Sequence, residues 1–185
     1  MMPPFDRSPG IRPRPSLGRW LDMAARAGFP ASCTVLLMLL AAVPFGFAGQ
    51  AALIPAVATI SVYFWTLFRP GSMPPAVVFP IGLLLDLLGY LPIGVGVICL
   101  LAVHGFALRW QRFLTRRSFA LTWVAFSGFS AASAALGWGL GSLLGFRLLP
   151  VASAGLQGVI TIALYPALAV LFIRAHRSIA APEQA

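Results

Sequence analysis

Lysine is absent from this chain, and only Asp6, Asp22, Asp86 and Glu183 carry acid among its 185 residues. With 9% charged residues, there is too little charge to clothe a soluble domain, in which about a quarter of residues is usual. Chemistry-bearing patterns are missing too: no HExxH, no Gly-x-Ser-x-Gly, no phosphate loop and no pair of carboxylates inside an apolar run. Intramembrane catalysis needs at least a nucleophile with its base, or a metal cluster. The sequence therefore argues against an enzyme and for no cofactor, no catalytic residue and no metal site. The two cysteines, Cys33 and Cys99, sit alone in separate apolar runs with no CxxC or Cys/His cluster nearby, so they say nothing about a redox compartment.

Apolar residues fill the space that charge leaves. They make up 59% of the chain, and the mean hydropathy is +0.91. They form continuous runs with brief polar punctuation, not the period-2 alternation of a membrane barrel. Helices satisfy every backbone N–H and C=O within their own segment, as hydrocarbon demands. The sequence predicts an all-α membrane protein with six short transmembrane helices in one bundle. The runs are roughly 29–48, 51–68, 76–91, 93–108, 119–144 and 153–173. Gly49 and Gln50 make a tight uncharged tip between the first two, and the Pro- and Gly-rich 69–75 segment ends the second. The third run is short against the roughly 20 residues a full crossing needs, so it must tilt, thin the bilayer or stop short. Three regions result: an Arg/Pro-rich arm over 1–28, read as largely disordered and cytoplasmic, a membrane domain over 29–175, and a cytoplasmic tail over 176–185.

The net charge of +9 comes from thirteen arginines, which raises a nucleic-acid partner as a possibility. Such a site gathers basic side chains on one solvated face, whereas these fall in the gaps between apolar runs. They are better read as the positive-inside signature, with no nucleic acid as partner and membrane lipid as the surroundings. Twelve of the thirteen lie in the arm, the 69–75 loop, the 109–118 loop and the tail, while Arg147 stands alone on the other side. Both termini are then cytoplasmic, and Arg109, Arg112, Arg116 and Arg117 form the basic loop that sets the topology.

Asp86 is the one acidic side chain within a run. A charge there is expensive, so it should face protein or water. Gly82, Asp86 and Gly89 fall at i, i+4 and i+7, on one helix face, and suggest a polar packing notch where another backbone approaches. Pro92 and Gly94 mark the hairpin turn that follows. Two readings of Asp86 stay open: coordination of an ion or solute, or a carboxylate that pins helices together or caps the end of a nearby helix. The lack of partner carboxylates favours the second. His104 lies at a different depth from Asp86 and reads as an interfacial residue near Arg109 and Trp110. In the fifth run, Ser127, Ala131, Ala135 and Gly139 form one small-residue ladder, and Gly137, Gly141 and Gly145 form a second, helix-packing one. Tyr63, Trp65, Trp110, Trp123 and Tyr165 fall near run ends and read as interfacial anchors.

The stretch from Phe79 to Gly94, with Gly82, Asp86, Leu87 and Gly94 in a Gly-x-x-x-Asp-Leu helix followed by a tight turn, resembles the bacterial rod shape-determining MreD family. Tyr63-Phe64-Trp65 with Arg69-Pro70, and Tyr165-Pro166 before the basic tail, are similar as well. The resemblance covers nearly everything after residue 29. It implies a non-catalytic subunit of the elongation machinery in the bacterial inner membrane, with MreC, MreB, RodA and penicillin-binding protein 2 as partners. It also implies a fold akin to the substrate-binding subunits of energy-coupling-factor vitamin transporters. The alternative is a small-solute-binding subunit of a transporter, in which Asp86 lines a cavity.

Overall fold

A computed structural model describes residues 17–44, 46, 49–89, 91–146 and 148–180, with the backbone path alone for 17–26 and 176–180. The described residues form helices and turns without strands: α1 Leu17–Ala42, α2 Leu53–Phe68, α3 Pro75–Leu88, α4 Val95–Leu114, α5 Phe119–Leu144 and α6 Val151–Ala180. Four helical stretches, Gln50–Phe68, Val95–Leu114, Phe119–Leu144 and Val151–Ala175, are long and apolar enough to cross a membrane, while Ala27–Ala42 and Pro75–Leu88 are shorter. At 14 residues, α3 is about 21 Å long, shorter than a hydrocarbon layer roughly 30 Å thick.

Helix ends agree with the apolar run at α2 and overrun the runs where only arginine stands, while α1 stops at Ala42, six residues short of the expected end at residue 48, because Pro44 cannot continue a helix. Gly49, with φ of +92°, opens the one-turn 3-10 helix Gln50–Ala52 ahead of α2, and Pro70 closes α2 through a second such turn. By contrast α1 begins at Leu17, twelve residues before the expected start at Phe29, and α6 runs through the expected tail to Ala180. Leu, Ala, Met and Arg are all good helix formers, so a change from apolar to basic does not stop a helix. The same holds for the basic loop: Arg109 and Arg112 lie on α4, and only Arg116 and Arg117 sit in the turn to α5. Residues 1–16 of the arm, Arg147 and residues 181–185 lie outside the described residues.

The hub is α2. Thirteen of its 16 residues are buried, which is what a helix apolar on every side demands. It packs against α1, α4 and α6, and α5 closes a ring of four by bridging α4 and α6. Next to α1, α3 lies most closely along α4. The Gln50 amide ties the α1–α2 connection by donating to the Val43 carbonyl and accepting from the Gly46 N–H at 3.3 Å.

The aromatic residues correct the reading of interfacial anchors. Tyr63, Trp65 and Tyr165 are among the most buried side chains of the core. The Tyr63 ring lies 5.0 Å from Phe126 and 5.9 Å from Tyr165, and its hydroxyl donates to the Thr122 carbonyl at 3.2 Å, so one side chain joins α2, α5 and α6. Trp110 is half exposed on α4, as an anchor would be. Trp123 has a more specific task. Pro166 lacks an N–H, which leaves the carbonyl of Ile162, four residues earlier on α6, without its helical donor. The Trp123 indole N–H of α5 fills that place at 3.1 Å, re-satisfying a carbonyl that hydrocarbon could not.

Candidate functional site

The turn from α3 to α4 is built around glycine. Gly89 ends α3 in an extended conformation, and Gly94 at the N-cap of α4 has φ of +103°, in the left-handed region. That conformation suits glycine, but a glycine N-cap brings no side-chain oxygen, so although the Val95 N–H reaches the Pro92 carbonyl at 3.2 Å, the Gly96 and Val97 N–H groups need an acceptor from elsewhere. Asp86, on the last turn of α3, supplies one from across the hairpin. Its Oδ2 accepts from the Gly94 N–H at 2.7 Å and, more weakly, from Val97 at 3.4 Å, while Oδ1 accepts from Gly96 at 2.6 Å. The carboxylate is 5% exposed and lies at the positive end of the α4 dipole, where negative charge is favoured.

Two glycines make the approach possible. A Cβ on Gly82 would lie 2.6 Å from the Cα of Val97, so α3 and α4 touch backbone to backbone there. A Cβ on Gly96 would lie 2.4 Å from Asp86 Oδ1. Gly82 and Asp86 thus occupy the notch that their spacing suggests. Gly89 does not: it is exposed, and the nearest atom to a Cβ there would be the Leu85 carbonyl oxygen of its own helix, at 3.0 Å. Instead the facing wall is Gly96, which sequence reasoning missed. The Gly94-x-Gly96 pair after Pro92 is the signal that could have found it. Both readings of Asp86 can now be weighed, and the contacts are those of a cap: three backbone N–H groups hold the two oxygens.

His104 is not interfacial. It is 2% exposed at the middle of α4, its Nδ1 pairs with the Thr66 hydroxyl of α2 at 2.9 Å, and its Nε2 is buried without a partner among the described residues. Its distance from a run end was a guide to depth, not to which side of α4 faces the core. Eight residues separate it from Gly96, about 12 Å along the axis at 1.5 Å per residue, so Asp86 and His104 stay apart. Cys33 and Cys99 are free thiols on different helices, and Cys99 meets the Ser133 carbonyl of α5 at 3.7 Å.

The two ladders of α5 behave differently. Gly137 and Gly141 are buried, facing Cys99, Leu91 and Leu149 side chains, whereas Gly145 is exposed at the helix end. In the other ladder Ala131 and Ala135 are exposed, and a Cβ on Gly139 would meet nothing within 4 Å. Of the four arginines of the basic segment, Arg112, Arg116 and Arg117 surround one open basin with Phe113, and Arg109 stands apart from it. This basin lies at the C-terminal end of α4, about 30 Å from the Asp86 cap for a helix of 20 residues.

No known protein family, curated protein or solved structure matches the chain. The site is therefore argued from its own geometry. As a chemical arrangement it gives the two oxygens of Asp86 to three backbone N–H groups, and among the described residues no group of three or more His, Cys, Asp or Glu side chains could hold a metal. What it does offer is rigidity: a hairpin of two helices locked at one end by a buried carboxylate and two close glycines.

Proposed function

We propose that this chain is a non-catalytic, multi-pass subunit of the bacterial inner membrane, of the MreD type, that scaffolds the cell-wall elongation complex. In this reading all six helices belong to one membrane bundle like that of the energy-coupling-factor substrate subunits, and both termini are cytoplasmic. Its partners are MreC, MreB, RodA and penicillin-binding protein 2. The observation that carries the reading is the occupancy of Asp86. Of the residues that resemble the family motif, Asp86 accepts from Gly94 across the α3–α4 hairpin and Gly82 presses on the Val97 backbone of the same α4 turn, so the motif serves to hold a shape. A fixed helix pair is what a single-pass partner helix needs to pack against, since association in lipid depends on close van der Waals fit. The connecting segments are short, which leaves helix faces and the arginine-bearing turn as the surfaces for partners.

Co-purification from native membranes in mild detergent tests this reading. Wild-type protein should recover an MreC-like protein and a synthase, and Gly82→Leu, which drives a side chain into the Val97 backbone, should recover less of both. Recovery of a small solute in place of those partners would favour the transporter alternative and end the scaffold reading.

A further inference from the structure

Beside the arginine-bearing turn, the basic end of the bundle holds a hollow to which the proposed scaffold assigns no role. Helices α2, α4, α5 and α6 leave between them a crevice of about 150 Å³, roughly five times the ~30 Å³ a water molecule occupies in the liquid. Its floor is made of the buried side chains Phe64, Leu114, Thr122 and Tyr165, one from each helix. Phe119 and Arg117, both exposed, stand at its rim. The crevice is elongated along α6: Tyr165 and Ile173 both line it and are eight residues apart, about 12 Å of helix axis. Such a slot, mostly apolar and running inward from the end of the bundle, has the shape of a stretch of hydrocarbon chain.

Arg117 belongs to two sites at once. It lines the crevice, and with Arg112, Arg116 and Phe113 it lines the adjoining basin. Its guanidinium lies 5.0 Å above the Phe113 ring, a contact that holds it in place. Among the described residues no carboxylate engages Arg112, Arg116 or Arg117, and the one acid whose side chain is described, Asp86, is occupied at the far end of α4. Three guanidinium groups beside an apolar slot complement one ligand chemistry, an anion joined to a hydrocarbon chain.

We propose that this end of the bundle binds one anionic phospholipid, its phosphate held by Arg112, Arg116 and Arg117 and the upper part of one acyl chain lying in the crevice. The proposal rests on the membrane-spanning part of the reading above and not on the rod complex. An arginine set against the lipid phosphate contributes about fivefold in affinity, on the scale of about 1 kcal/mol for a basic residue close to an anionic headgroup. Neutralising two of the three should therefore weaken binding roughly 25-fold.

The test uses the full chain, delipidated in detergent and titrated under native mass spectrometry with phosphatidylglycerol, with phosphatidylcholine of the same chains, and with glycerol 3-phosphate. Wild type should hold one phosphatidylglycerol in preference to phosphatidylcholine. Arg116→Gln should lose about fivefold, and Arg116→Gln with Arg117→Gln about 25-fold. Arg109→Gln, which removes the same charge from the same end but lies outside both hollows, should lose less than twofold. Equal binding of phosphatidylcholine would overturn the proposal. So would a loss with Arg109→Gln equal to that with Arg116→Gln, and displacement of the lipid by equimolar glycerol 3-phosphate would mean a soluble-anion pocket instead. Arg109, Arg116 and Arg117 are all exposed, and monodisperse elution of each variant checks that it is folded. None of these outcomes bears on partner recovery, so a failure here is separate from a failure of the scaffold.

Discussion

Replacing Asp86 by alanine removes the acceptor for two short hydrogen bonds, from Gly94 at 2.7 Å and Gly96 at 2.6 Å, and for a marginal third from Val97. Loss of an ordinary N-cap costs about 0.5–2 kcal/mol. Here the Gly96 N–H is buried and would be left without an acceptor, adding about 1–3 kcal/mol, whereas the Gly94 N–H is only part-buried and water can reach it. The sum is a destabilisation of about 1.5–5 kcal/mol. Asp86→Asn keeps one acceptor oxygen but turns an N–H₂ toward the other donor, so it should lie between the two, at about 1–2 kcal/mol. Unfolding in mixed micelles titrated with dodecyl sulfate, followed by circular dichroism, measures both. Leu87→Ala on the same turn is the control: its side chain is 66% exposed, and it should stay within about 0.5 kcal/mol of wild type. If Asp86→Ala unfolded within about 0.5 kcal/mol of wild type while partner recovery collapsed, the carboxylate would be acting on a ligand or partner, and the cap would be incidental.

Gly96→Ala should imitate Asp86→Ala, because its methyl group takes the space of Oδ1. The double variant should cost clearly less than the sum of the two in the same titration. Gly82→Ala, pressed on the Val97 backbone at 2.6 Å, should lose about 1–3 kcal/mol by overpacking. Trp123→Phe should lose about 1 kcal/mol by stranding the Ile162 carbonyl. In the double variant with Pro166→Ala most of that loss should vanish, since alanine restores the missing helical N–H, and additive losses would show that the indole bond contributes nothing. Gly139→Ala, with open space around it, should be neutral or stabilising by up to about 1 kcal/mol, and a loss would mean that this face of α5 is covered.

Punctuation by glycine and proline made α2 legible in the sequence, and α5 begins and ends at the run boundaries, Phe119 and Leu144. The start of α1 and the ends of α4 and α6 were not legible, because arginine closes an apolar run without closing a helix. At the site, Gly82 and Asp86 could be found by their i, i+4 spacing, a local property. Gly96 was marked only by the Gly94-x-Gly96 spacing after Pro92, and its role exists only once α4 has folded back along α3. Tyr63, Trp65 and His104 were misplaced for one shared reason. Position within a run measures depth along the membrane normal, whereas burial depends on the angle around the helix, and α2 is enclosed on nearly every side. Trp123 needed two facts far apart in the chain, a proline on α6 and an indole facing it from α5.

The Asp86 cap also bears on the order in which the protein is made. In the proposed membrane bundle, α3 offers the bilayer, as it emerges from the ribosome, only 14 residues and one carboxylate on its last turn, which lipid alone does not satisfy. The groups that satisfy that carboxylate belong to the next helix and are not yet synthesised. Helix α3 therefore has little reason to remain in lipid alone. It enters stably as one half of a pair, when Gly94 and Gly96 arrive to receive it, so the unit of insertion for this region is the hairpin and not the helix.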